Sequence, residues 1–112
     1  MIHIISEKAT NGQIKEMLES LETYIKLAVD IRKGILVGGG VLHADCEAVL
    51  IENGSKQENI WGADWLPETA QVKTEALINI RPRQGNRSMS IQDANLRKQI
   101  EQVVIQLLDN IE

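Results

Sequence analysis

Hydrophobic and polar positions follow two different periods along the chain, and each change of period marks a new element. Residues 2–5 make a short β-branched run, too brief for a helix, and predict a first strand. Thr10-Asn11-Gly12-Gln13 fits a capping box, in which a hydroxyl and an amide side chain each satisfy an unpaired backbone N–H. Ile14, Met17, Leu18 and Leu21 then share one face, while Lys15, Glu16, Glu19 and Ser20 share the other. That spacing predicts an amphipathic helix with a single buried stripe.

Near Tyr24 the period drops to two. Ile25, Leu27, Val29 and Ile31 alternate with Lys26, Ala28, Asp30 and Arg32, as in a strand with one buried face. Gly34 breaks the run, and 35–37 reads as a short strand closed by Gly38-Gly39-Gly40, a turn or bulge. The triplet lacks the Lys-Ser/Thr ending of a phosphate loop. Residues 41–51 alternate again, with Leu42, Ala44, Cys46, Ala48 and Leu50 pointing one way and His43, Asp45 and Glu47 the other. Asn53-Gly54 follows, the strongest short hairpin signal. A two-residue loop there sets Cys46 opposite Trp61, Ala44 opposite Ala63 and Leu42 opposite Trp65. On the other face His43 meets Asp64, Asp45 meets Gly62 and Glu47 meets Ile60. Pro67 ends the hairpin, 68–74 reads as polar connection, and 75–81 as a last strand stopped by Pro82. After a loop to Gln92, Asp93 serves as N-cap of a final helix with the stripe Leu96, Ile100, Val103, Val104, Leu107 and Leu108.

The predicted order is β-α-β-β-β-β-β-α within one domain, 1–112. It belongs to the α+β class: a two-layer domain, mostly antiparallel, with both helices on one face of the sheet and the other face open. Composition sharpens this. Isoleucine, leucine and valine supply the core; phenylalanine is absent, and Tyr24, Trp61 and Trp65 are the whole aromatic complement. Rows of bases have little to stack on. A net charge of −4 argues against a broad basic surface for duplex nucleic acid. One cysteine, Cys46, makes no internal disulfide and reads as a small buried hydrophobe. The N-terminal apolar run is shorter than a signal peptide's, and no stretch approaches a membrane span. The expectation is a cytoplasmic protein without membrane contact and with no cofactor.

Two constellations carry chemistry. On the predicted open face lie His43, Asp45, Glu47, Asp64, Asn79 and Arg81, imidazole and carboxylates within mutual reach. Such a set ligates a divalent ion, with His43, Asp45 and Asp64 as the ligands, forms an acid–base pair, or is the ordinary polar face of a sheet. His3 adds a second nitrogen only if the first strand neighbours this hairpin. The other constellation is the loop Arg81-Pro82-Arg83-Gln84-Gly85-Asn86-Arg87-Ser88, with no acidic residue between Glu75 and Asp93. Arginine forks suit phosphate or carboxylate, and Gly85 lets backbone N–H groups approach an anion. Arg83, Gly85, Asn86, Arg87 and Ser88 are the candidate contacts. The competing reading pairs these arginines with the protein's own carboxylates.

Several stretches also carry a resemblance: Gly39-Gly40-Val41-Leu42-His43-Ala44-Asp45, Glu52-Asn53-Gly54-Ser55-Lys56-Gln57, Ile60-Trp61-Gly62, and Leu77-Ile78-Asn79-Ile80-Arg81-Pro82 with Gln84-Gly85-Asn86-Arg87-Ser88. Together they resemble a family of small uncharacterised bacterial proteins, a domain of unknown function. The resemblance implies a self-contained domain in a bacterial cytoplasm and no particular chemistry. Gly40 stands where such sequences carry Glu.

The expected function is a module that binds a small anionic ligand or a partner, as a homodimer through the open sheet face. The alternative is a metal-assisted hydrolase of a phosphate-bearing substrate, with Arg83 or Arg87 on the substrate. A third reading is a purely structural or regulatory interaction module.

Overall fold

The computed structural model describes residues 1–109, so the last three positions of the expected 1–112 domain lie outside the described residues. The elements are β1 (His3–Ile5), α1 (Asn11–Met17), β2 (Ile25–Asp30), β3 (Ile35–Gly40), α2 (His43–Glu52), β4 (Ile60–Leu66), β5 (Gln71–Lys73) and α3 (Ala94–Leu108). Single 3₁₀ turns stand at Gln57–Asn59, Leu77–Asn79 and Pro82–Gln84. The five strands form one sheet in the order β1-β3-β2-β4-β5, every neighbouring pair antiparallel. The class is α+β, but the order and the layers differ from expectation.

Alternation along β2 shows why. Ile25, Leu27 and Val29 face a large cluster that includes Met17 of α1 and Ile100, Val104, Leu107 and Leu108 of α3. Ala28 faces the other way, into a smaller cluster with Val37, Ile60, and Cys46 and Leu50 of α2. The sheet is therefore covered on both sides, and the face expected to be open to a partner subunit lies under α2. Trp61 and Trp65 sit in the larger cluster. Cys46 and Trp61, expected as a cross-strand pair, lie on opposite sides of the sheet.

The central correction is that 41–51 is not a strand. Its inward positions repeat at helical spacing, Cys46 and Leu50 buried and His43 and Glu47 half-buried, but two of the four are charged or polar, so the apolar pattern is thin. The Asp45 carboxylate accepts the Leu42 N–H at 3.2 Å and starts the helix. Gly54, with φ at +94°, stops it: its N–H reaches Ile51 O and the Ser55 N–H reaches Leu50 O. That pair of bonds is a Schellman motif. Asn53-Gly54 is thus a helix stop and not a hairpin turn.

Two other expectations change. Residues 75–81 form no strand; Leu77–Asn79 is a 3₁₀ turn lying across the edge of β4. Part of 68–74, expected as connection, becomes β5 and pairs with the end of β4. The three glycines at 38–40 lie inside β3, where the register against β2 shifts between Lys26 and Leu27. Elsewhere the capping box holds, since Thr10 Oγ1 accepts from Gln13 N and Gln13 Oε1 accepts from Thr10 N. The first helix ends at Met17, short of Leu21. Asp93 caps α3 by accepting from Asn95 N and Leu96 N.

Candidate functional site

The helical period brings His43 and Glu47, one turn apart, to the side of α2 that meets β4 and the 76–81 segment. His43 Nε2 lies 2.7 Å from Asp64 Oδ1 and 3.2 Å from the Ala63 carbonyl. Both neighbours only accept, so Nε2 carries the proton and donates. The two expected partners do meet, through packing of a helix on a strand and not across a hairpin. Asp45 turns to its own helix N-terminus and stands apart from them.

Glu47 accepts from Arg81 Nη2 at 3.1 Å, with the two side chains 12% and 11% exposed. Arg81 also donates from Nε to Ile78 O and from Nη1 to Gln57 O and Gln84 Oε1. Its guanidinium stands 4.6 Å from the centre of the Trp61 ring, within cation–π range. Burial pulls the Arg81 pKa below its usual value, and the Glu47 charge opposes that pull. With four contacts to protein oxygens, Arg81 is a brace between α2, β4 and the loop.

Asn79 is fully buried and brackets Gly62. Gly62 permits this, because a Cβ there would stand 2.6 Å from Ala76 Cβ. Asn86 is likewise buried: its amide donates to Asn79 O, Ser88 O and Ser90 O, and its carbonyl accepts from Gln92 N. Gly85 supplies a left-handed residue at φ +79° after the Pro82–Gln84 turn, and Ser88 Oγ donates to Ser90 O. The backbone N–H groups of Gln84 and Gly85 are taken by Arg81 O and Pro82 O, and that of Arg87 by Gln92. Of the five expected anion contacts, three therefore shape the loop, and the Arg83 and Arg87 guanidinium groups remain. Neither forms an ion pair among the described residues.

A cleft of about 620 Å³ opens beside the brace, lined by Glu47, Gln57, Ile78, Ile80 and Arg81 to Gln84. Arg83 lines it; Arg87 does not. On the far side of Ile78 lies a second cleft of about 300 Å³, with His43, Lys26 and Glu75 among mostly apolar neighbours. Gln57 and Lys26 were not candidate site residues, since each meets the rest of its cleft by contacts between distant segments; Gln84 lay in the arginine loop but was not among its candidate contacts. Among the described residues no three His, Cys, Asp or Glu side chains gather closely enough to hold a metal ion, and the expected trio of His43, Asp45 and Asp64 is not assembled. His3, on β1 beside β3, pairs with Glu16 at 3.0 Å, and β3 and β2 separate it from β4, which carries Asp64. Cys46 is buried against Lys26 O, and burial pushes its thiol up to about 11.

Three of the stretches expected to mark a family contribute to the lining of these clefts: the start of α2 through Leu42, His43 and Ala44, the 52–57 stretch through Gln57, and the 77–88 loop. A family model described as a protein of unknown function (DUF5674) matches residues 3–107. The chain belongs to the DUF5674 family. No curated protein and no solved structure matches it. The DUF5674 match spans every described element from β1 into α3, including both clefts. No helix among the described residues of this DUF5674 chain is long and apolar enough to cross a membrane.

Proposed function

We propose that the protein is a binding module for a small anionic ligand, seated in the larger cleft with Arg83 as its principal contact. The observation that carries this reading is the contrast between two neighbouring arginines. Arg81 is held by Glu47, Gln57, Gln84 and Ile78, whereas Arg83 lines the same cleft with its charge unpaired among the described residues. Two guanidinium groups against one carboxylate leave the cleft with a positive balance. Arginine's planar fork matches a phosphate or carboxylate in two bonds at once. The braced floor limits the reorganisation that binding requires. A bacterial, cytoplasmic setting belongs to the same reading, in keeping with a lone buried thiol.

Thermal-shift titration with phosphate, sulfate and nucleotides tests it. A ligand at 100 times its Kd adds about 2.7 kcal/mol to stability, enough to raise Tm by several degrees. Arg83→Ala abolishes the shift while leaving the unliganded Tm in place. No shift in the parent protein, or an equal shift in the variant, overturns the reading.

A further inference from the structure

The smaller cleft has one charge of each sign in its lining, and its chemistry is different. Lys26 and Glu75 cancel, and behind His43 lies the Asp64 carboxylate. The cleft offers Leu42, Ala76, Leu77, Ile78 and Met89 to an apolar body. His43 is oriented from behind. Its Nε2–H is shared between Asp64 and the Ala63 carbonyl, which leaves the lone pair of the neutral ring on Nδ1. Among the described residues Nδ1 has no partner, and no buried side-chain nitrogen lacks one. Nδ1 is therefore no fully buried orphan, and His43 lines the cleft.

We propose that His43 and Asp64 form a general-base dyad that hydrolyses small neutral carboxylic esters bound in this second cleft. The assignment goes beyond the anion-binding reading and does not rest on it. Nδ1 takes a proton from water as the water oxygen bonds to the ester carbonyl carbon and the C=O electron pair moves onto oxygen. Collapse of that oxyanion breaks the bond to the alcohol, which leaves with the proton returned from Nδ1. The products are a carboxylic acid and an alcohol, and water is the co-reactant. Asp64 and the Ala63 carbonyl stabilise the imidazolium at Nε2–H. Lys26 is the cleft's cation; one of its N–H bonds goes to Val41 O at 3.0 Å, and its charge attracts the developing oxyanion.

The test is hydrolysis of p-nitrophenyl butyrate by the intact chain. The expected result is saturable hydrolysis, faster than the same concentration of free imidazole. His43→Gln keeps a donor for Asp64 but removes the base, and its rate falls by about 100-fold or more. Asp64→Asn lowers kcat and leaves KM unchanged, a split that loss of cleft shape alone does not produce. Nitrogen NMR of the unsubstituted protein shows the Nε2–H tautomer, so the assignment stays exposed even where a variant fails to fold. A parent rate no higher than that of imidazole overturns the proposal. So does full activity in His43→Gln, unchanged kcat in Asp64→Asn, or an Nδ1–H tautomer.

Discussion

The Asn79 side chain pairs with the Gly62 peptide as a neighbouring strand would. Its Oδ1 accepts the Gly62 N–H at 2.7 Å and its Nδ2 donates to the Gly62 carbonyl at 3.0 Å. One carboxamide thus continues the sheet past β4 where β5 has not begun. It also anchors the 3₁₀ turn that separates the two clefts.

Asn79→Ala leaves two buried peptide groups without partners. Each unsatisfied group costs about 1–3 kcal/mol, so the variant loses about 2–6 kcal/mol of stability. Urea unfolding measures this. A loss below about 1 kcal/mol would show that water replaces the bracket.

Glu47 and Arg81 form a pair with little solvent access, so breaking it on one side leaves an uncompensated charge. Glu47→Ala and Arg81→Ala each destabilise by about 3 kcal/mol, and the double variant by clearly less than their sum. Additive losses in the double-mutant cycle would mean that the pair is not coupled. Arg81→Lys restores little, because a point charge cannot make four directed contacts.

Why some of this was legible in the sequence and some was not follows from which residues carry the helical period. In α3 every buried position is aliphatic, so stripe and cap could both be read directly. In α2 the same period runs through His43 and Glu47, whose partners Asp64 and Arg81 lie 21 and 34 residues away. Pairing, and not apolarity, allows them to be buried. Without that knowledge the small residues Ala44, Cys46 and Ala48 imitate a strand, and Asn53-Gly54 imitates a hairpin turn. Asp45 at the first turn and Gly54 just past the last were the available local signals. The 75–81 segment misled for a related reason: Asn79 bonds to a strand edge with its side chain and not with its backbone. The arginine loop stood out by composition, but only the structure shows that Asn86 and Ser88 close it from within.

Cys46 gives a pH prediction of definite sign. Its folded pKa, about 11 against an ordinary 9.0, is raised by burial, so folding favours the protonated thiol. That contribution is whole below pH 9 and is lost as pH rises toward 11; the shift corresponds to on the order of 2 kcal/mol. Stability falls across that window more steeply in the parent protein than in Cys46→Ala. Parallel curves for the two proteins would contradict the assignment. The same burial keeps Cys46 unreactive toward thiol reagents at neutral pH until the chain unfolds.

The most direct test of the central claim is a titration of inorganic phosphate into isotope-labelled protein, followed by NMR. Saturable shifts are expected at the Arg83 Nε–H and at the Gln57 and Gln84 side-chain amides, with Arg87 unmoved. Shifts confined to Arg87, or none at concentrations well above plausible affinities, would contradict it.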